Sequence, residues 1–142
     1  MEDNTPSFFR FEDLRIYTKS VEFGKFVVNN LREPRNIAEK EFVRVFVRSA
    51  MDISLSIAEG SSRNKSQFES YLKDAKTALR ECVTYTSVAN GLGLLGDDEC
   101  SQSRELLMEL TRMIGAMIIS LGRGGKRGYE DGVSDHIDEV QE

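Results

Sequence analysis

Between Arg48 and Glu81 the chain reads RSAMDISLSIAEGSSRNKSQFESYLKDAKTALRE, an apolar helical pattern, a polar break and a second helical pattern. The break runs from Ala58 to Ser66 and contains Gly60. Glycine takes the left-handed backbone conformation that a helix C-terminus favours, so Gly60 is predicted to close the first helix. Ser66, with Glu69 three residues later, is predicted to form a capping box that opens the second helix just ahead of Phe68. Two long helices must therefore fold back on each other across a short turn.

The rest of the chain supports the same class. Its only prolines, Pro6 and Pro34, precede residue 35, so the strongest helix breaker is absent from everything that follows. At 142 residues it is long enough for one domain with a real core and too short for two of ordinary size. A first helix is predicted over 13–32, with Asp13 as its N-cap and an inner line of Leu14, Tyr17, Val21, Val28 and Leu31, flanked by Ile16 and Phe26. Glu33-Pro34 ends it, because the proline ring disfavours helical geometry in the residue before it.

A second helix is predicted over 37–60. Phe42, Val43, Val45, Phe46, Val47, Ala50, Met51, Ile53, Leu55, Ile57 and Ala58 cover much of its circumference, so it is either central or covered a second time by a partner. The third, over 66–92, has the most regular periodicity. Phe68, Leu72, Ala75, Leu79, Cys82, Thr86 and Ala89 alternate steps of four and three, and a second line of Tyr71, Ala78, Tyr85 and Leu92 repeats every seven. The run Asn90 to Gly96 holds three glycines suited to a C-terminal cap, and Asp97-Asp98-Glu99 favours the start of a fourth helix over 97–122, capped by Gly96 or Asp97. Its inner positions are Leu107, Leu110, Ile114, Met117 and Leu121, widened by Leu106, Met113 and Ile118. The expected fold is all-α, an up-down-up-down left-handed four-helix bundle over 11–122. A flexible stretch, 1–10, precedes it, and a disordered, glycine-containing acidic tail, 123–142, follows.

Several chemistries lack the residues they need. The one histidine, His136, falls in the tail, so no core holds an imidazole base beside a serine or cysteine nucleophile. No Glu-x-x-His motif supplies a carboxylate-bridged metal site, Cys82 and Cys100 have no metal-ligand spacing, and no phosphate-binding glycine motif occurs. Cys82, on the third-helix seam, reads as core packing, and Tyr71 and Tyr85 as core or interface residues. No enzyme and no cofactor or metal is expected. The opening MEDNTPSFFRFEDL lacks a basic segment followed by an apolar one, and no window reaches the ~18 apolar residues of a spanning helix, so an unexported cytoplasmic protein is expected.

Net charge is −5, unevenly spread. Residues 35–80 carry nine basic and six acidic side chains, whereas 123–142 carry three basic and six acidic. Arg63, Lys65 and Lys73 are the candidate contacts to nucleic-acid phosphate. Arg48, Glu59 and Glu81 are a candidate polar cluster in which Glu81 meets Arg48 from the facing helix and fixes the register of helices two and three.

Arg48, Ala50, Ile53, the run Ile57-Ala58-Glu59-Gly60, Arg63, Ser66, Phe68, Leu72, Ala75 and Glu81 also form a pattern. Together with Phe11-Glu12-Asp13-Leu14 and Leu92-Gly93-Leu94-Leu95, it resembles the small four-helix-bundle proteins encoded in intervening sequences of 23S ribosomal RNA genes and, more distantly, the accessory protein of diversity-generating retroelements. The resemblance spans residues 11 to 122. It departs from the family at Asp52 and Ser54, where serine and proline are common, and at Ser56, where asparagine is usual. It implies a homopentamer, and its retroelement side implies binding of nucleic acid and a reverse transcriptase through basic surface. The expected function is thus a non-enzymatic homo-oligomeric bundle that binds RNA, DNA or a ribonucleoprotein. The alternative is a protein–protein assembly scaffold without nucleic-acid binding.

Overall fold

The computed structural model describes residues 6–122. Among them a short 3-10 turn, Arg10–Asp13, precedes four helices: α1 Arg15–Asn30, α2 Ile37–Ser61, α3 Lys65–Gly91 and α4 Asp97–Gly122. No strand occurs among the described residues. The expected tail, 123–142, lies outside them.

Each helix packs on its neighbours in sequence and α1 also packs on α4, with the α2–α3 interface the most extensive. Ser49 of α2 meets Ala78 and Glu81 of α3, while Gly60 meets Phe68 and Tyr71. The partner number falls as the α2 number rises, so these two helices are antiparallel. Thr86–Ser103 and Asn90–Asp97 show the same for α3 and α4. The arrangement is compatible with the expected up-down-up-down order.

Every predicted seam position of α3, from Phe68 to Ala89, is buried. Leu72, Leu79 and Cys82 there meet a core completed by Phe46, Ile53 and Ile57 of α2 and by Leu107, Leu110, Ile114 and Ile118 of α4. In α4 the line drifts after Ile114, so that Ile118 is buried while Met117 and Leu121 are half-buried.

α1 presents a different face from the one expected. Its buried residues are Ile16, Ser20, Phe23 and Val27, whereas Val28 is exposed and Val21 half-buried. Ser20 hides this line in the sequence. Its hydroxyl donates to the Tyr17 carbonyl at 2.7 Å, which lets a polar side chain sit inside at little cost.

Two expected N-caps are also reassigned. Asp13 ends the 3-10 turn, its carboxylate accepting from the Ser7 N–H at 3.2 Å, and Leu14 caps α1 with no side-chain bond. α3 starts one residue earlier than predicted. Asn64 caps it by accepting from the Gln67 N–H at 2.9 Å, so Ser66 and Glu69 form no capping box. Asn36 caps α2 in the same way through the Glu39 N–H at 2.9 Å.

Gly60 is helical and takes no left-handed conformation. A Cβ on it would stand 2.5 Å from the Tyr71 Cβ, so its missing side chain is what lets α2 and α3 meet at the turn. Among the described residues the left-handed glycine is Gly93, at φ 76°. Its N–H donates to Asn90 and the Leu94 N–H donates to Ala89, which together make a Schellman motif closing α3. Two arginines tie this end of the bundle together. Arg32 donates to the Gly93 carbonyl and Arg35 to that of Leu92, bonding carbonyls that the end of α3 leaves unpaired.

Candidate nucleic-acid interface

The α2–α3 connection is short because both helix ends are capped within it: Ser62 ends α2 and Asn64 opens α3. Arg63 stands between them. Its guanidinium donates to the Glu59 carboxylate one turn back, with Nε at 3.2 Å, and lies 5.4 Å from the Tyr71 ring centroid. The Glu59 hydrogen bond, then the charge interactions with Tyr71 and Glu59, raise the Arg63 pKa above its ordinary value, so the group is a permanent cation. Lys65 is exposed at the first position of α3.

Lys73 does not join them. Eight residues of helix place it about 12 Å along the axis from Lys65, and its ammonium lies 3.6 Å from Glu69. Arg63 and Lys65 therefore share the turn, while Lys73 belongs to the flank of α3.

The polar cluster expected of Arg48, Glu59 and Glu81 is not assembled. Glu59 holds Arg63, Arg48 lies 3.9 Å from Asp52 on its own helix, and Glu81 accepts from the Ser49 hydroxyl at 2.9 Å. Ser49 also donates to the Ala78 carbonyl at 3.2 Å. The link across α2 and α3 thus comes from a small hydroxyl that reaches a backbone acceptor, and a long Arg–Glu pair is not needed.

The same neutralisation recurs through the cationic middle of the chain. Arg35 pairs with Glu39 at 2.7 Å and Arg44 with Glu41 at 2.6 Å. Hydrogen bonds to these carboxylates raise both arginine pKa values, and the arginines hold Glu39 and Glu41 below the usual carboxylate range. Lys76 is buried. The basic excess of residues 35–80 is distributed largely over local pairs, and Arg63 with Lys65 is the part of it that lies at the α2–α3 turn.

No group of three or more His, Cys, Asp or Glu side chains that could hold a metal occurs among the described residues, and His136 lies outside them. Burial pushes the Cys82 thiol up to about 12, against a hydrogen bond with Ser49 that lowers it, so this cysteine is a protonated core side chain at neutral pH. No helix of the described residues is long and apolar enough to cross a membrane.

A feature absent from the sequence reading is an apolar groove of ≈ 350 Å³ between α1 and α2. Val21, Gly24, Lys25, Val28, Met51 and Leu55 line most of it. The signal was present in the seven-residue spacing of Val21 and Val28 and the four-residue spacing of Met51 and Leu55. Assigning Val21 and Val28 to the core concealed it.

No curated protein matches the chain. The family model described as 23S rRNA-intervening sequence protein matches residues 12–116, which takes in α1 to α3, the turn that carries Arg63 and most of α4. A match of that extent over an all-helical chain of four helices settles its kinship: the protein belongs to the 23S rRNA-intervening sequence protein family.

Proposed function

We propose that the chain is a non-catalytic cytoplasmic bundle that assembles with copies of itself, as the pentamer its family resemblance implies. One observation carries the reading. Leu55, Val28 and Met51 are 61%, 51% and 45% exposed around a single apolar groove, although the core beside them is closed. A contiguous apolar surface of this kind marks a contact site on a soluble protein. Sedimentation velocity tests it: the chain runs as one species of several copies, and a stable monomer at micromolar concentration rejects the assembly.

A second surface favours RNA, DNA or a ribonucleoprotein as the partner of that assembly. Arg63 and Lys65 are exposed at a short turn capped on both sides, and Tyr71 and Glu59 hold the Arg63 guanidinium in place. Each turn offers little charge, but an assembly repeats it in every subunit and phosphate attraction grows with the number of contacts. In a mobility-shift titration with structured RNA at low salt, the complex forms and weakens steeply as salt rises, and the double variant Arg63→Glu/Lys65→Glu abolishes it. Absence of a shift at high protein concentration rejects nucleic acid and leaves the assembly as a scaffold for another protein.

A further inference from the structure

The α1–α2 groove and the aromatic segment ahead of α1 are two apolar surfaces that the bundle leaves uncovered. We propose that Phe8 and Phe9 of one copy insert into the α1–α2 groove of the next, a head-to-tail contact that rests on the self-association proposed above.

The two surfaces match in size and in charge. A cavity of about 150 Å³ accommodates one benzene-sized ring, so the ≈ 350 Å³ of the groove accommodates two. A Cβ added to Gly24 would meet nothing within 4 Å, so a glycine in mid-helix leaves open floor on which an incoming ring can approach the backbone closely. Among the described lining residues Lys25 carries the charge. Residues 6–13, which would deliver the rings, hold Glu12 and Asp13 against Arg10.

The aromatic pair is built to project. Phe8 is 92% and Phe9 57% exposed, and their rings meet edge to face at 5.1 Å. Phe9 continues to Phe11 at 6.0 Å, and Phe11 to Tyr17 at 4.9 Å, a ladder that anchors the pair to the start of α1. The Ser7 N–H bond to the Asp13 carboxylate closes the segment over its 3-10 turn. Rings held this way lose little freedom on docking. The same anchoring keeps them from the groove of their own chain, because Gly24 lies about 13 Å along α1 from Arg15. A contact between two different surfaces propagates from copy to copy, and when its rotation closes it makes a ring, odd-membered rings included.

The full chain supplies the test. Gly24→Leu fills the groove from within its own helix, and its Cβ meets nothing within 4 Å, so it retains the wild-type circular dichroism spectrum while the assembly falls to monomer in sedimentation velocity. Phe8→Ala/Phe9→Ala does the same from the other surface. In a Cys100→Ser background, mixing Phe9→Cys chains with Leu55→Cys chains under mild oxidation yields a disulfide-linked dimer that neither forms alone. An assembly that survives Gly24→Leu and gives no cross-link overturns the groove contact while self-association stands. So does cross-linking confined within a chain carrying both substitutions. A wild-type chain that is monomeric at micromolar concentration overturns both.

Discussion

Gly60 and Tyr71 face each other so closely that a Cβ on the glycine would lie 2.5 Å from the Cβ of the tyrosine. The clash would fall on an atom fixed to the α3 backbone, so no flexible side-chain end can move aside. Gly60→Ala is therefore expected to destabilise the bundle by about 1–3 kcal/mol, the usual cost of overpacking a tight contact. A urea midpoint lowered at unchanged slope checks it. A left-handed glycine cap would give the same direction of effect, but Gly60→Asn separates the two: it is tolerated in a cap and worse than alanine at this contact.

Thr86 and Ser103, both fully buried, share a side-chain hydrogen bond between α3 and α4, 2.8 Å long, and because the Thr86 hydroxyl donates to the Cys82 carbonyl at 2.7 Å, Ser103 is the donor to Thr86. Thr86→Val keeps the shape and strands the Ser103 hydroxyl, which is expected to cost about 1–3 kcal/mol. Adding Ser103→Ala removes the stranded group, so the double variant loses less than the sum of the two single ones. A double-mutant cycle by chemical denaturation measures the difference.

Acid should loosen the α1–α2 corner first. Hydrogen bonds from the Arg35 side chain, then its backbone N–H, hold the Glu39 carboxyl below its ordinary value, against a smaller effect of burial. The unfolded chain therefore binds the proton more readily. The contribution of this carboxylate is complete above the ordinary glutamate value of about 4.3 and is lost as pH falls through the lower folded value. Stability measured against pH is expected to fall on that acid limb, and Glu39→Gln flattens it.

Cys82 should be chemically silent. With its thiol pushed up to about 12 by burial, it carries almost no thiolate at pH 8. Intact-mass analysis after iodoacetamide is expected to show Cys82 unmodified in the native protein and alkylated once the chain is unfolded.

Much of the fold was legible because its signals are local. The four-and-three rhythm of Phe68, Leu72, Ala75, Leu79, Cys82, Thr86 and Ala89 is carried by one helix, and all seven side chains are buried. What misled were polar residues whose side chains bond backbone groups of their own turn. Ser20 broke up the true inner line of α1 and made Val21 and Val28 look internal. Two real Asn-x-x-Glu/Gln caps were missed: Asn64 to Gln67 was passed over for the Ser66–Glu69 pair two residues on, and Asn36 to Glu39 at the start of α2 was not singled out. At the candidate site the turn position of Arg63 and Lys65 followed from the break between helices. The pairing of Arg48 with Asp52 was legible in their four-residue spacing, whereas that of Glu81 with Ser49 was not, because spacing within one helix does not identify a partner on the facing helix.

The account depends on copies of the molecule covering apolar surface that one bundle leaves open around Leu55. Sedimentation equilibrium of the wild-type chain tests this most directly. The predicted result is a single particle whose mass is a whole multiple, fivefold, of 16.1 kDa, unchanged on dilution through the micromolar range. A particle of one chain mass across that range would contradict it.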